Sequence, residues 1–352
     1  MTLRQIEWLK FCMKKVNAPT LEDVARLAGV STASISRALN EPNKVAQATR
    51  KRIDEAIERL GYTPNGGGRA LASNRTNTVG AVIPSMANAM FASGVQAFQE
   101  ELAKAGVTLL VATTGFDAEQ ELRQIRSLVG QGADGLMLIG NDRPQGTWDF
   151  IDKRGVAHVV TWCSTTRDGQ LCVGFDNEKA AGNAAKQAMD MGHRRLAMIC
   201  GITEVNDRAK ARRDGVVAAV AAYGQGARLT HMVEAPYLLD AAADALAEIM
   251  NQEEKPTVVL CANDAQAAGA MVGARQMGLR LPEDLSFVGF DDVGISRVVT
   301  PPLATVRVPQ IDIGRAAAQL LLQQIAGQEG LVSKTFPTEF LQRASLAPPS
   351  KA

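Results

Sequence analysis

The chain has 352 residues, 46% of them hydrophobic and 21% charged, with a net charge of +1, five cysteines and three histidines. That length leaves room for two or three domains around a sizeable core, and no apolar run is long enough to span a bilayer. Cys12, Cys163, Cys172, Cys200 and Cys261 are scattered without a CxxC pair, and His158, His193 and His231 stand far apart. This argues against a disulfide framework, a zinc site and a histidine-based metal enzyme. The first residues mix Arg4, Glu7, Lys10, Lys14 and Lys15 with apolar ones and lead into no signal-peptide core or cleavage site, so a soluble chain in a reducing cytoplasm is expected.

Charge is unevenly placed. Residues 1–76 hold 13 Lys and Arg against 7 Asp and Glu, whereas residues 77–352 hold 25 against 30. A basic fifth on an acidic body suits a nucleic-acid-binding head, or a solvated tail if the basic segment does not fold.

The pattern over residues 18–64 is that of a folded head. Thr20, with Asp23 three positions on, predicts a capping box and a helix through Ala28. Gly29 supplies a turn. Ser31 caps a second helix over Thr32–Leu39, and Asn40-Glu41-Pro42-Asn43 ends it. Thr49 is read as the cap of a third helix running to Leu60, with Gly61 after it and Ile53, Ala56, Ile57 and Leu60 as its buried stripe. Two short helices about a glycine turn with a third behind form the helix-turn-helix plan, with Ala25 at the crossing and Val24, Val30, Ile35 and Leu39 as core. A hairpin used only for packing has the same outline. The second helix offers Thr32, Ala33, Ser34, Ser36 and Arg37 outward, and these residue types suit base edges and phosphates.

From Thr78 the pattern changes to short apolar strands alternating with helices. Strands are predicted at Val79–Ile83, Val107–Ala112, Gly135–Ile139, Ala157–Trp162, Arg195–Cys200, Thr257–Ala262 and Leu285–Phe290. Helices are predicted near 90–105 and 117–131, and again before Ala157. This alternation implies parallel sheets covered on both faces, in two doubly wound lobes. No GxGxxG, GxxxxGK[ST] or GxSxG motif follows a strand, which removes the main support for a dinucleotide, P-loop or serine-hydrolase enzyme.

The stretch Thr20-Leu-Glu-Asp-Val-Ala-Arg-Leu-Ala-Gly-Val-Ser31, then Ser36-Arg37, Thr49-Arg50 and Leu60-Gly-Tyr-Thr-Pro-Asn65, resembles the head of the LacI/GalR family of transcription regulators. The resemblance continues through nearly the whole chain, and residues 1–17 fall outside it without an assigned role. It implies a helix-turn-helix domain at 18–64, a hinge at 65–77, and a periplasmic-binding-protein-like core at 78–348. Lobe 1 would take about 78–177 and 309–338, and lobe 2 about 178–308 and 339–348. It also implies DNA contacts by Thr20, Ser31, Thr32, Ala33, Ser34, Ser36, Arg37, Asn40, Thr49, Arg50, Tyr62, Asn65, Arg69 and Leu71, with Leu71 as a minor-groove wedge. The run Gly66-Gly67-Gly68 departs from the family, which has a helix former at Gly68. Either the hinge helix starts later, or it orders at a larger cost, or the segment is a plain flexible linker.

For the core, the resemblance implies a small ligand between the lobes at the C-terminal ends of the strands. The implied contacts are Ser85, Asn88, Met90, Phe91, Asp176, Arg208, Arg212, Tyr237, Asn263 and Asp291. Read singly, Asp264 or Asp292 would equally cap a helix, Phe91 would be core, and Arg208 would make a surface ion pair. Carboxylates, amides, arginine and an aromatic ring together suit a polyol. Arg208 and Arg212 share a helix face, which favours an acid. Pro84-Ser85, Asn88 and Phe91, with Val173-Gly-Phe-Asp-Asn177, look similar to the gluconate-repressor branch, which points to a sugar acid such as gluconate.

The expectation is therefore an allosteric, non-enzymatic repressor of palindromic operator DNA, a homodimer without metal, cofactor or membrane association. The alternative is a cytoplasmic or transport-type sugar-binding protein without regulatory DNA binding.

Overall fold

The computed structural model describes residues 18–63, 75–164, 167 and 169–350. The expected hinge contacts Asn65, Arg69 and Leu71, the Gly66–Gly68 run, the residue 1–17 segment and the side chain of Asn40 lie outside the described residues. The chain divides into two compact units after Thr76.

The head is three helices: α1 (Leu21–Ala28), α2 (Thr32–Asn40) and α3 (Gln47–Leu60). The capping box forms as the spacing requires. Thr20 Oγ1 accepts from the Asp23 amide at 3.3 Å, and Asp23 Oδ2 accepts from the Thr20 amide at 2.9 Å. Gly29 ends α1 at φ 65°, a conformation that costs a side-chain-bearing residue steric strain. Ser31 caps α2 by accepting from the Ser34 amide. Thr49 does not cap α3. The helix begins two residues earlier, and the Ala46 carbonyl accepts from the amides of Thr49 and Arg50 without a side-chain cap. A short 3₁₀ turn over Pro42–Lys44 brings the chain into that start. Val24, Ala25, Ala28, Ile35, Ala38, Ile53 and Ala56 are buried, with Val30, Leu39, Ile57 and Leu60 packed around them.

The second unit holds two six-stranded sheets. The first contains β1 (Thr78–Ile83), β2 (Thr108–Thr113), β3 (Gly135–Ile139), β4 (Ala157–Thr161), β5 (Leu171–Gly174) and β11 (Lys334–Thr335), in the order β11-β5-β4-β3-β1-β2, all parallel. The second contains β6 (Arg195–Cys200), β7 (Arg228–Glu234), β8 (Val258–Cys261), β9 (Ser286–Asp291), β10 (Ala304–Arg307) and β12 (Glu339–Leu341), in the order β12-β10-β9-β8-β6-β7. Among the described residues its one antiparallel pairing is β10 with β12. Strands β5, β7, β10, β11 and β12 were not among the apolar runs read from sequence. They lie at or next to sheet edges: β7, β11 and β12 are exposed or half-buried, which dilutes the hydrophobic signal, whereas β5 and β10 are mostly buried but only four residues long.

The helices between the strands are α4 (Ala89–Lys104), α5 (Ala118–Gly130), α6 (Gln145–Arg154), α7 (Asn177–Asp190), α8 (Asp207–Tyr223), α9 (Leu239–Met250), α10 (Asp264–Gln276), the short α11 (Ile295–Val298) and α12 (Gln310–Ile325). The period-2 geometry of a strand sends alternate side chains to opposite faces. Met137 and Ile139 therefore pack under α4 and α12, while Leu136 and Leu138 pack against α5 and α6. Helices α4 and α12 touch so closely that a Cβ on Gly314 would lie 2.0 Å from the Gly94 carbonyl oxygen, so this crossing requires glycine.

Three segments pass between the sheets: β5 to α7, β10 to α12, and β11 to β12. The strand ends that face each other across these passages form the cleft described next.

Candidate functional site

On the head, Thr32, Ala33, Ser36 and Arg37 are exposed along one side of α2, and Ser34 is half-buried. Ser31 and Thr20 are exposed but use their hydroxyls as caps. Arg50 is exposed and 3.8 Å from Asp54, Thr49 is half-buried within α3, and Tyr62 packs its ring on the head core. The exposed face of α2 thus offers hydroxyls, a methyl group and a guanidinium on a helix fixed from behind by Ile35 and Ala38. These groups can read major-groove edges.

In the second unit, a cavity of about 690 Å³ lies in a groove between α7 and α8, and one of about 880 Å³ lies between the two lobes. The interlobe cleft is walled by the loops after β1, β2, β7, β8 and β9. Of the expected contacts, Ser85, Asn88, Phe91, Tyr237, Asn263 and Asp291 line it. Asn88 and Asn263 are at once cleft residues and N-caps, accepting from the amides of Met90 and Gln266. Phe91 is held edge-on against Trp162 at 5.7 Å. The Tyr237 hydroxyl accepts from Asn206 at 3.1 Å, and its ring lies 5.9 Å from that of Phe116 across the lobes.

Four expected contacts are placed elsewhere. Met90 turns inward and packs in the core. Asp176 is exposed, caps α7 through the Lys179 amide and faces the α7–α8 groove. Arg208 lines an adjoining cavity of about 330 Å³ and pairs with Asp207 at 2.7 Å. Arg212 lies beneath the cleft, with its Nε and Nη1 hydrogen-bonded. It donates to Asn177 Oδ1 at 2.9 Å and to the Ala262 carbonyl at 2.6 Å, stands 3.6 Å from Asp291, and covers the Phe290 ring at 3.9 Å. One turn of helix separates the two arginines, but the first points to one cavity and the second under another. They form no shared clamp.

Asp291 dominates the electrostatics. It is 2% exposed, and its Oδ1 has no hydrogen-bond partner. Burial pushes its pKa up to about 7, against the pull of Arg212. Asp264, also on the cleft wall, is pushed up to about 8 by burial and by the Asp291 charge, although Thr305 and the Val293 amide hydrogen-bond it. Asp291 sits at φ 109° and Asp292 at φ 54°, backbone regions that cost side-chain-bearing residues about 1–3 kcal/mol each. The turn is pinned by Arg307 and Arg343 on the Asp292 carboxylate.

Residues missed by sequence reasoning are Phe116, Leu238, Val293 and Ile295, which supply much of the apolar lining. Phe116 follows the end of β2, so the rule that ligands lie past strand C-termini would have found it. The others belong to turns without a local signal. Asn177 appears in the sequence motif, but its role is visible only in space. Its Nδ2 donates to the Trp162 carbonyl while its Oδ1 holds Arg212.

A capped helix-turn-helix head followed by a two-lobed core with an interlobe cleft defines a ligand-responsive DNA-binding protein. Residues 20–65 match the lacI family of bacterial regulatory proteins, and residues 185–346 match a periplasmic binding protein-like domain. The transcriptional repressor CytR of Escherichia coli K12 is 31% identical over 94% of this chain and 97% of its own. Among solved structures, the transcription regulator GntR from Chromobacterium violaceum is 29% identical with a TM-score of 0.71, covering 76% of this chain and 99% of that one. The lac repressor dimer bound to operator and the anti-inducer ONPF shares the fold, with a TM-score of 0.82 at 24% identity, covering 94% and 100%. The chain belongs to the LacI family of bacterial regulatory proteins.

Proposed function

We propose that this protein is a transcriptional repressor. It binds a palindromic operator as a homodimer, and a small polyhydroxylated ligand in the interlobe cleft sets its operator affinity. The observation that carries this reading is the presence on one chain of an exposed Thr32/Ala33/Ser36/Arg37 face and of a cleft with the buried, partner-seeking Asp291. Two heads on a two-fold axis match a palindrome. A ligand that prefers one arrangement of the lobes shifts head spacing and hinge order, and so operator affinity, by a coupling free energy. The relatives named as repressors, and the lac repressor solved on its operator as a dimer, support the reading.

The test is a gel shift on DNA upstream of the protein's own and neighbouring genes, with and without a carbohydrate panel. Gluconate belongs in that panel, because the gluconate-repressor likeness of the first cleft loop names a sugar acid as the specific effector. A specific shift altered by one compound supports the reading. A compound that binds while no DNA shifts at low salt favours a sugar-binding protein without regulatory DNA binding.

A further inference from the structure

Four cysteines lie among the described residues, all buried, and among these only Cys163 and Cys172 meet. Their sulfurs are 3.6 Å apart, and the Cys172 thiol donates to the Cys163 carbonyl at 2.7 Å. Cys200 and Cys261 also stand on adjacent strands, with Ile199 level with Cys261. Alternation sends those two side chains to opposite faces of the sheet, into separate core clusters, so they do not meet. The same alternation would part the first pair. Val160 is level with Cys172 and shares its face, so Cys163, three positions on, belongs on the other face. Trp162 undoes this. It adopts φ 60°, a left-handed conformation rare for a bulky residue. That reversal returns Cys163 to the face of Cys172, and both thiols pack in one cluster with Val160 and Trp148. Gly174 permits the close approach: a Cβ there would lie 2.5 Å from the Cys163 amide nitrogen. Strain held at one residue, with two thiols in contact as its result, is the mark of a functional constraint.

The strained turn is tied into the rest of the core. Trp162 packs edge-on against Phe91 at 5.7 Å. Its carbonyl accepts from Asn177 Nδ2 at 2.9 Å, and Asn177 in turn holds Arg212. We propose that Cys163 and Cys172 form a reversible, peroxide-sensitive dithiol, and that its bridging fixes the Trp162 turn. A disulfide needs its sulfurs about 2.0 Å apart, so closing the bond from 3.6 Å is a side-chain rotation between strands already paired. The oxidant is a hydroperoxide. One cysteine sulfur, as thiolate, attacks the peroxide: an S–O bond forms, the O–O bond breaks, and the departing hydroxide takes up a proton to leave as water. The second sulfur, as thiolate, attacks that sulfenic sulfur: the S–S bond forms, the S–O bond breaks, and a second water leaves. The two thiols together lose two electrons and two protons, and the peroxide is reduced to two waters. Either sulfur can donate to the other, so the first thiolate is stabilised by the remaining thiol. Cys163, 7% exposed at the strand end, is the entry point, and Cys172, 2% exposed, is the resolving thiol. An external dithiol reverses the bridge by exchange.

The experiment treats the full chain with hydrogen peroxide under native conditions, then maps thiols by differential alkylation and intact mass. The expected result is a bridge joining Cys163 to Cys172 within one chain, with a mass loss of about 2 Da for the two hydrogens. Tryptophan emission should fall at the same time, because Trp162 precedes Cys163 and Trp148 packs on both sulfurs' cluster. Dithiothreitol should restore mass and emission. Cys200 and Cys261 are the internal controls and should stay reduced. Cys172→Ala should abolish the bridge and the emission change, and a melting curve checks that the variant folds. If it does not fold, the map of the native chain alone decides. Thiols that stay free, that oxidise singly to sulfinic acid, or that bridge only in urea overturn the inference. None of these readouts uses DNA or ligand, so failure here leaves the regulatory reading standing, and failure of the gel shift leaves this inference standing.

Discussion

The side-chain amide of Gln310, the first residue of α12, donates at 2.7 Å to the main-chain carbonyl of Asp291, whose carboxyl group lines the cleft. Helix α12 packs on α4 in the first lobe, whereas Asp291 ends β9 in the second. One hydrogen bond therefore ties the ligand-facing turn of one lobe to the helix pair of the other, beside the β10-to-α12 passage. Gln310→Ala leaves a buried carbonyl unpaired and is expected to cost about 1–3 kcal/mol of stability. It should also reduce the ligand's effect on operator binding more than it changes operator binding itself. Urea denaturation and gel shifts with and without ligand check both parts.

Removing Arg212 uncovers three groups at once: Asn177 Oδ1, the Ala262 carbonyl and the Asp291 carboxyl. Breaking a buried pair by deleting one partner costs about 3–5 kcal/mol. Arg212→Met is expected to destabilise the core by that order. Arg212→Lys should rescue little, because an ammonium cannot reproduce the planar fork or cover the Phe290 ring in the same way. Equal stability of the lysine variant and the native chain in denaturant titration would refute this.

Asp291 and Asp264 have folded-state pKa values raised from 3.8 to about 7 and about 8. A carboxyl group raised in this way binds its proton more tightly folded than unfolded. Its contribution to stability is complete below 3.8 and is lost as pH climbs through 7 and 8. Stability should thus fall between about pH 5 and about pH 8.5, and Asp264→Asn should flatten the slope. Melting temperatures across that range decide the sign. A ligand hydroxyl donating to the Asp291 carboxylate favours the deprotonated form, so ligand affinity should rise through the same interval.

In the head, the residue proposed to read DNA and a residue that holds the fold are near neighbours with opposite burial. Arg37 is exposed, and Ile35 is fully buried. Arg37→Ala should leave head stability unchanged while costing about 1–3 kcal/mol of operator affinity. Ile35→Ala should cost about 2–5 kcal/mol of stability and abolish binding by unfolding. Circular dichroism of the head alongside gel shifts separates the two.

Three consecutive glycines, Gly66–Gly68, oppose helix formation by about 1 kcal/mol each relative to alanine. If the proposed hinge orders on DNA, replacing them with alanine is expected to tighten operator binding by preordering it. Unchanged or weaker binding would show that the segment acts as a plain linker.

Much of this protein was legible in its sequence because the signals are local. The capping box at Thr20, the turn glycine at Gly29 and the buried strands around Ala81, Leu136 and Leu260 are each determined within a few residues, by backbone hydrogen bonding or period-2 burial. Six of the ten expected cleft residues line the cleft, because strand C-termini in an open α/β sheet must converge there. What only the tertiary structure decided is where side chains of ambiguous local context point. Met90 and Phe91 are adjacent on α4 and both are buried in the same core cluster, but only Phe91 also borders the cleft. Arg208 and Arg212 share a helix, yet Asp207 claims one while Asn177, more than thirty positions earlier, claims the other. No sequence period encodes such long-range competition between partners, and it places Arg208 and Arg212 outside the described lining of the cleft.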